Sequence, residues 1–522
     1  MVLPAPCMNC VTHIRQILFV YYKLELPYNV NEEEAVVSQF VKSETDIAPY
    51  DDLFSKVAEL VDCEPQNWDL ISPPSAVLVL RRARKLLAKL FSNFDPMDIH
   101  PRHGPGAVST KEKLWGKYFW TRLNPRINRT YPFDAYFFAS LGHVCDEYRF
   151  IESLPVIESS AQVLLVPKDS RGPRLISCEP LEFQWIQQGL GQAIVHHVEH
   201  HPLTRHNVHF TDQQPNRIGA LLGSRSGKYA TLDLKEASDR VTVGLVRLLF
   251  PEPLLSALLN SRSLTTRLTN GEVLRLHKFA PMGSALCFPI MALTIWALLT
   301  ANESDANARK SILVYGDDVI VEAAKAAHAI QRLESVGLMV NRNKSFCQGF
   351  FRESCGLDAF HGINVTPVRL RTLWTNDPSP DVYTSYIAFA NKLYERRYYT
   401  AYDIVVGKLL SVYREIPSKD MNLSCPSLYS IPDDKLPKRR RVNKDLQKSE
   451  FLVYDVISRP LNHTLSGWKM LLRFFAEGTS DTLGLAEVSP SGCGIQGSCF
   501  RLPMSVREYT KRNASILAKR WR

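Results

Sequence analysis

The 522-residue chain has no internal repeat and no long low-complexity tract, which excludes solenoid and fibrous architectures. Regular cysteine spacing is also missing. The eleven cysteines are scattered and odd in number, which argues against a disulfide framework and for reduced thiols in a cytosol-like compartment. Cys7 and Cys10 form a lone C-x-x-C with no second half nearby, open to a structural zinc site or to ordinary thiols. No cleavable leader is expected, because Lys23 and Glu25 interrupt the early run "ILFVYYKLELP" and no small-residue cleavage site follows. Acidic residues are in deficit. With 63 Lys and Arg against 53 Asp and Glu, the formal net charge is +10, which favours a polyanionic partner unless it serves solubility alone.

What is present is ordinary for a globular protein: 45% hydrophobic and 22% charged residues, enough for several packed units or one large enzyme with subdomains. "SAVLVLRRARKLLAKLFSNF" has a Leu/Val face and is expected to be helical, and "HPRHGPGAV" (residues 100–108) is a turn cluster and a candidate junction. From Gln162 to about Val368, short β-branched runs alternate with helical ones, and after about Pro378 the pattern turns mostly helical. The Lys438–Arg441 run is expected in a solvated loop, with contact to a nucleic-acid backbone as the alternative. "HHVEHH" (residues 196–201) has the i,i+4 histidines of a metal site but no nearby cysteine, so a solvated or RNA-facing helix is expected.

The chemistry concentrates elsewhere. "SILVYGDDVIVEA" (residues 311–323) sets two aspartates side by side in an apolar run, a costly arrangement unless something uses it. The pattern reads as a strand, a tight turn at Gly316, and a returning strand, with Asp317 and Asp318 at the sheet edge. Upstream, "KYATLDLKEASDRV" supplies a short strand, Tyr229 to Leu234, with Asp233 at its end, and "KEASDRVTVGLVRLLF" is expected to continue as a helix. One strand-borne Asp and a hairpin-borne pair can hold two divalent ions, an arrangement suited to in-line displacement at phosphorus. The competing reading makes Asp233 a helix cap and the pair mere turn formers, and it weakens once the motifs occur together in this order.

One segment, Pro281–Ala301, is uncharged and about the length of a bilayer span. A span there would put Asp233 and Asp317 on opposite sides of the membrane, so a buried helix beneath the sheet is expected, and no membrane partner. "MGSA" (Met282 to Ala285) at its start is a small turn past which a nucleotide or template strand can run close to the backbone.

With these elements in place, the chain resembles the viral RNA-dependent RNA polymerases, and in detail the replicase catalytic (beta) subunit of the positive-strand RNA bacteriophages, the leviviruses. "LDLKEASD" resembles that family's motif A, "PMGSALCF" its motif B, "YGDD" its motif C and "GLMVNRNKSF" its motif D. "FRESCGLDAFHGINVTPVRLR" resembles the segment that follows, and "VPKDSRGPRLISCEPLEFQWIQQGLG" the finger motif, with "FTDQQPNRIGA" and "RHGPGA" as further matches.

The resemblance implies an α+β right-hand polymerase: fingers, a palm with an antiparallel sheet, and a mostly helical thumb. It divides the chain into an N-terminal region (1–105) contacting fingers and thumb, fingers (106–224), palm (225–370), and thumb with the C-terminal region (371–522). It implies that Asp233, Asp317 and Asp318 bind two Mg2+ ions, for which Mn2+ can substitute. Lys168, Arg171 and Arg174 would neutralise the incoming nucleotide's phosphates, a task guanidinium forks suit; a surface basic patch is the other reading. Lys344 takes the place of the motif D lysine, a candidate general acid for pyrophosphate, or else a plain exposed lysine. Gly283 and Ser284 fall at the nucleotide, and Asp239 faces the ribose 2′-OH. Here the chain departs from the commoner pattern: Asp239 follows Asp233 by six positions rather than five, and the motif B asparagine is absent, leaving Ser284 as the nearest polar residue.

The implied partners are RNA template and product, NTPs, and host translation elongation factors with a ribosomal RNA-binding protein, in the cytoplasm of an infected bacterial cell. Two rivals stand beside a polymerase replicating a positive-strand genome: a reverse transcriptase, and a catalytically inactive RNA-binding subunit. Retention of all three aspartates and the three basic finger residues speaks against the second.

Overall fold

β-Branched and apolar runs form the strands. β1 (Ala161–Asp169) and β2 (Gly172–Cys178) make a hairpin, extended by β4 (Thr265–Arg267) and β5 (Val273–Arg275) into a sheet of order β2-β1-β4-β5. The central sheet has the order β6-β7-β3-β8, from β3 (Tyr229–Lys235), β6 (Leu313–Tyr315), β7 (Asp318–Glu322) and β8 (Met339–Val340). All its pairings are antiparallel. β9 (Phe351–Ser354), β10 (Leu357–Phe360) and β11 (Ile363–Asn364) form a third sheet, and β12 (Arg440–Asn443), β13 (Lys448–Ser458) and β14 (Ser515–Trp521) a fourth. This is a computed structural model, and it describes residues 7–60, 65–301, 303, 309–458, 465, 467–478 and 515–522. The architecture is α+β.

The uncharged segment forms a helix, Cys287–Thr300, in which every residue but Phe288 is buried. Pro289 is tolerated because it lies in the first turn, where its missing N–H costs no helical bond. The helix packs against the helices Pro74–Leu90, Leu181–His200, Ala237–Arg240 and Ala326–Glu334 and against β6. Among the described residues, no helix is long and apolar enough to cross a membrane. The apolar cluster it anchors reaches from Phe54 to Ala476, and a second cluster, Val368 to Ile431, fills the space between helices Pro380–Glu395 and Tyr399–Val412.

Three features go beyond what the sequence pattern reports. The helix expected after Asp233 is broken in two, Ala237–Arg240 and Val243–Leu249. Glu236 is left-handed (φ 53°) and Val241 is extended, its carbonyl accepting the Phe279 N–H at 2.7 Å while the Val243 N–H donates to the His277 carbonyl at 2.9 Å. Thr242 then caps the second helix, its hydroxyl oxygen accepting from the Leu245 N–H. In the C-terminal region, the basic run expected in a loop leads into β12, where Arg441 pairs with Glu450 at 2.8 Å and lies over the Trp521 ring. Finally, the first hundred residues contain a 31-residue helix, Val30–Leu60, that lies along the Val243–Leu249 helix. The C-terminal residues 479–514 lie outside the described residues.

Candidate active site

The central sheet brings the three aspartates together. β3 and β7 are paired so that Asp233 stands opposite Asp318, and β6 sets Tyr315 opposite the same Asp318. Asp317 sits in the turn between β6 and β7, which Gly316 allows by taking φ 62°. A side chain on Gly316 would also run into the Phe288 ring, which packs edge-on against Tyr315.

Backbone and amide contacts hold these residues in place. Asn341 donates through its side chain to Asp233 Oδ2 at 2.8 Å and through its N–H to the Asp233 carbonyl at 2.8 Å. The Asp233 N–H donates to Ser345 Oγ, and Asn216 Nδ2 donates to the Asp318 carbonyl at 2.9 Å. Asn341 lies inside the stretch that drew attention to Lys344, three residues before it, yet sequence reasoning passed over it.

Burial and mutual charge set the electrostatics of the three carboxylates. Burial raises Asp233 and Asp317 above the usual carboxylate range, against the pull of Lys344 and Lys168. Asp318 is pushed up to about 7 by burial, then by the charges of Asp317 and Asp233. A half-buried set of oxygen donors carrying mutual repulsion suits a hard divalent cation. The three carboxylates do not close to within 4.8 Å of one another, unlike Asp51, Asp52 and His277, whose ligand atoms do. In that second group, however, Asp51 is already engaged, accepting from the Gly244 N–H and from His277 Nδ1.

The three basic residues of the β1–β2 hairpin behave differently. Lys168 and Arg174 act on Asp317 and on each other, and Arg174 is exposed. Arg171 is turned to the buried Asp169, with Nη2 at 2.9 Å and Nε at 3.1 Å, and stacks over Tyr22. Lys344 sits where its charge acts on Asp233 and Asp317; burial alone would lower it, but Asp233 and then Glu353 hold it above the usual lysine value.

Gly283 has φ 123° and lies against the Ser177 carbonyl, so no side chain fits there. Ser284 is buried and donates to Gln187 Oε1 at 2.9 Å. Asp239 accepts from Lys278, a residue that no local pattern announced. The histidine-rich stretch ends the Leu181–His200 helix: His197 bonds the Leu90 carbonyl and His200 stacks on His196. Neither it nor Cys7 and Cys10, both exposed, gathers a third ligand among the described residues.

The sequence is similar to those of several named polymerase subunits. The RNA-directed RNA polymerase subunit beta of Enterobacteria phage SP is 31% identical over 305 residues, covering 56% of this chain and 50% of that protein. Its counterpart from Qbeta virus (strain MX1) is 30% identical over 298 residues, covering 56% and 49%. The RNA-directed RNA polymerase beta chain of Enterobacteria phage GA is 32% identical over 329 residues, covering 59% and 60%. The chain therefore spans about half the length of the first two relatives and three-fifths of the third. A solved structure of the BmCPV RNA-dependent RNA polymerase at elongation state aligns over 60% of this chain and 30% of that one, with TM-score 0.34 and 11% identity. The family model described as RNA replicase, beta-chain, matches residues 64–420, a span that takes in both the β1–β2 hairpin and the aspartate-bearing sheet. On that match, which takes in well over half of its length, the chain belongs to the RNA replicase beta-chain family.

Proposed function

We propose that this chain is an RNA-directed RNA polymerase that replicates the positive-strand RNA genome of a bacteriophage in the cytoplasm of its bacterial host. The observation that carries the reading is the register setting Asp233 against Asp318, with Asp317 in the adjoining turn under the influence of Lys168, Arg174 and Lys344. The reaction is attack of an RNA 3′-OH on an NTP α-phosphate, with pyrophosphate leaving. On this reading, residues 106–224 are fingers, 225–370 palm and 371–522 thumb with the C-terminal region, and residues 1–105 brace them.

Asp233, Asp317 and Asp318 would hold two Mg2+ ions, with Mn2+ able to substitute; when bound, such ions activate the attacking hydroxyl and stabilise the leaving oxygen. Lys168 and Arg174 draw the triphosphate to the aspartates, and Arg171 keeps the hairpin tip closed on Asp169. Lys344, held in its charged form, donates a proton to the departing pyrophosphate. Gly283, packed against the Ser177 carbonyl, keeps the turn tight beside the path of a nucleotide or template base, Ser284 braces that turn through Gln187, and Asp239 accepts from the ribose 2′-OH. Template and product RNA follow a basic surface, so binding weakens as salt rises. Host translation elongation factors and a ribosomal RNA-binding protein, implied by the family resemblance, complete the enzyme.

The test uses purified chain with RNA template, Mg2+ and either NTPs or dNTPs, with and without a host translation-factor fraction. Incorporation of NTPs that Asp317→Asn abolishes is the expected result. Preference for dNTPs would instead indicate a reverse transcriptase, and RNA binding without incorporation an inactive subunit.

A further inference from the structure

Lys278 is a fully buried ammonium. Three oxygens lie at 3.1 Å from its Nζ: Asp239 Oδ1, Glu44 Oε1 and Ser43 Oγ. Its fourth side is closed by the Phe40 ring, 3.5 Å away at the centroid. Phe40, Ser43 and Glu44 all belong to the Val30–Leu60 helix, so a residue of the palm segment is gripped from the N-terminal region. The grip extends along that helix: Asp46 reaches Arg240, Glu44 accepts the His277 N–H, and Asp51 accepts the Gly244 N–H. Lys278 itself is placed by an antiparallel bridge to Thr242, three residues after Asp239.

Charge neutralisation alone does not account for Asp239 in this cluster. Glu44, also buried, already supplies the counter-charge that a buried lysine needs. Asp239 retains 20% exposure of its side chain, and its other oxygen, Oδ2, takes no part in the Lys278 contact. Asp239 and Asp317 both act on the buried Cys287 thiol, which burial and then their charges push up. Ser284, the nearest polar residue of the motif B turn, is committed to Gln187.

We infer that Lys278 is a positioning residue for ribose selection. It fixes one oxygen of Asp239 and leaves the other free to accept from the 2′-hydroxyl of the incoming nucleotide. The chain thereby couples sugar discrimination to a lysine anchored by the N-terminal helix. This inference rests on the polymerase reading above.

The experiment compares single-nucleotide incorporation of NTP and the matching 2′-dNTP by the full chain and its variants. Lys278→Met is expected to cut the NTP-over-dNTP preference in kcat/KM by about tenfold or more, through a raised KM for NTP, with dNTP use little changed. Asp239→Asn should lose the same preference, and the double variant no more than either, because the two act as one unit. Glu44→Gln, which leaves the Lys278–Asp239 contact in place, should keep the preference; a purely structural role for the cluster would not separate these variants. Where Lys278→Met fails to fold, Lys278→Gln, neutral and still polar, decides. A folded Lys278 variant that keeps the wild-type preference overturns the inference alone. A wild-type chain that incorporates neither sugar overturns the polymerase reading and the inference with it.

Discussion

Asp233 and Asp318 face each other across the β3–β7 ladder, a position where like charges oppose pairing. The cost appears in Asp318, whose carboxyl is pushed up to about 7 by burial and by its two acidic neighbours. In an unfolded chain the same group ionises near 4. The folded state therefore favours the protonated acid, so the contribution of this group is complete below about pH 4 and is lost as pH rises through about 7. Metal-free protein should show a Tm that falls across this window, less so in Asp318→Asn. Added Mg2+ should raise Tm more at pH 8 than at pH 6, because ligands must be deprotonated to bind it. Thermal unfolding with and without chelator at each pH checks both, and an Asp318→Asn protein with the wild-type pH slope would contradict the assignment.

Gly316 permits the turn that presents Asp317. An alanine there meets the left-handed penalty of about 1–2 kcal/mol, and its Cβ is driven into the Phe288 ring. Gly316→Ala should lower stability by about 2 kcal/mol or more in urea unfolding and reduce nucleotide incorporation. Trimming the ring relieves only the clash, so the Gly316→Ala, Phe288→Leu double variant should be more stable than the sum of the single effects allows. Simple additivity would mean that the ring does not limit the turn.

Lys344 remains protonated through neutral pH because Asp233 and Glu353 outweigh its burial. A general acid in this state predicts that Lys344→Met lowers kcat by about a hundredfold, while KM for NTP changes less. Lys344→His should restore activity only at low pH and lose it as pH rises through about 6.5, the ordinary histidine value. A kcat that ignores all these changes would leave Lys344 a bystander.

The parts of this molecule that local pattern can report were legible. The strand, turn and strand around Asp317 follow from alternating apolar residues and one glycine, and the Cys287–Thr300 helix from an uncharged run that a neighbouring sheet must cover. What stayed hidden depends on distant chain. The break at Val241 arises from backbone bonds to His277 and Phe279, and the Val30–Leu60 helix meets Lys278 and Gly244 from some two hundred residues away. β14 pairs with β13 across the 56 residues that separate Ser458 from Ser515, a pairing no short window contains. The three cations of the β1–β2 hairpin looked equivalent in sequence, and the buried Asp169 divides them.

That division yields the last prediction. Arg171 satisfies Asp169 with two side-chain bonds and one from its backbone N–H, while Lys23 stands further off at 3.9 Å. Removing Arg171 leaves a buried carboxylate with weakened compensation, so Arg171→Ala should destabilise the protein by about 1–3 kcal/mol, discounted for the exposure of the guanidinium. Asp169→Asn combined with Arg171→Ala should recover part of that loss, since no buried charge is then left alone. Arg174 carries no such debt. It is exposed, and Arg174→Ala should leave Tm near wild type while raising KM for NTP by about tenfold, the worth of one charge-assisted phosphate contact. Unfolding curves and NTP kinetics on the same preparations separate the two roles: a stable Arg171→Ala protein with the larger KM defect would reverse them.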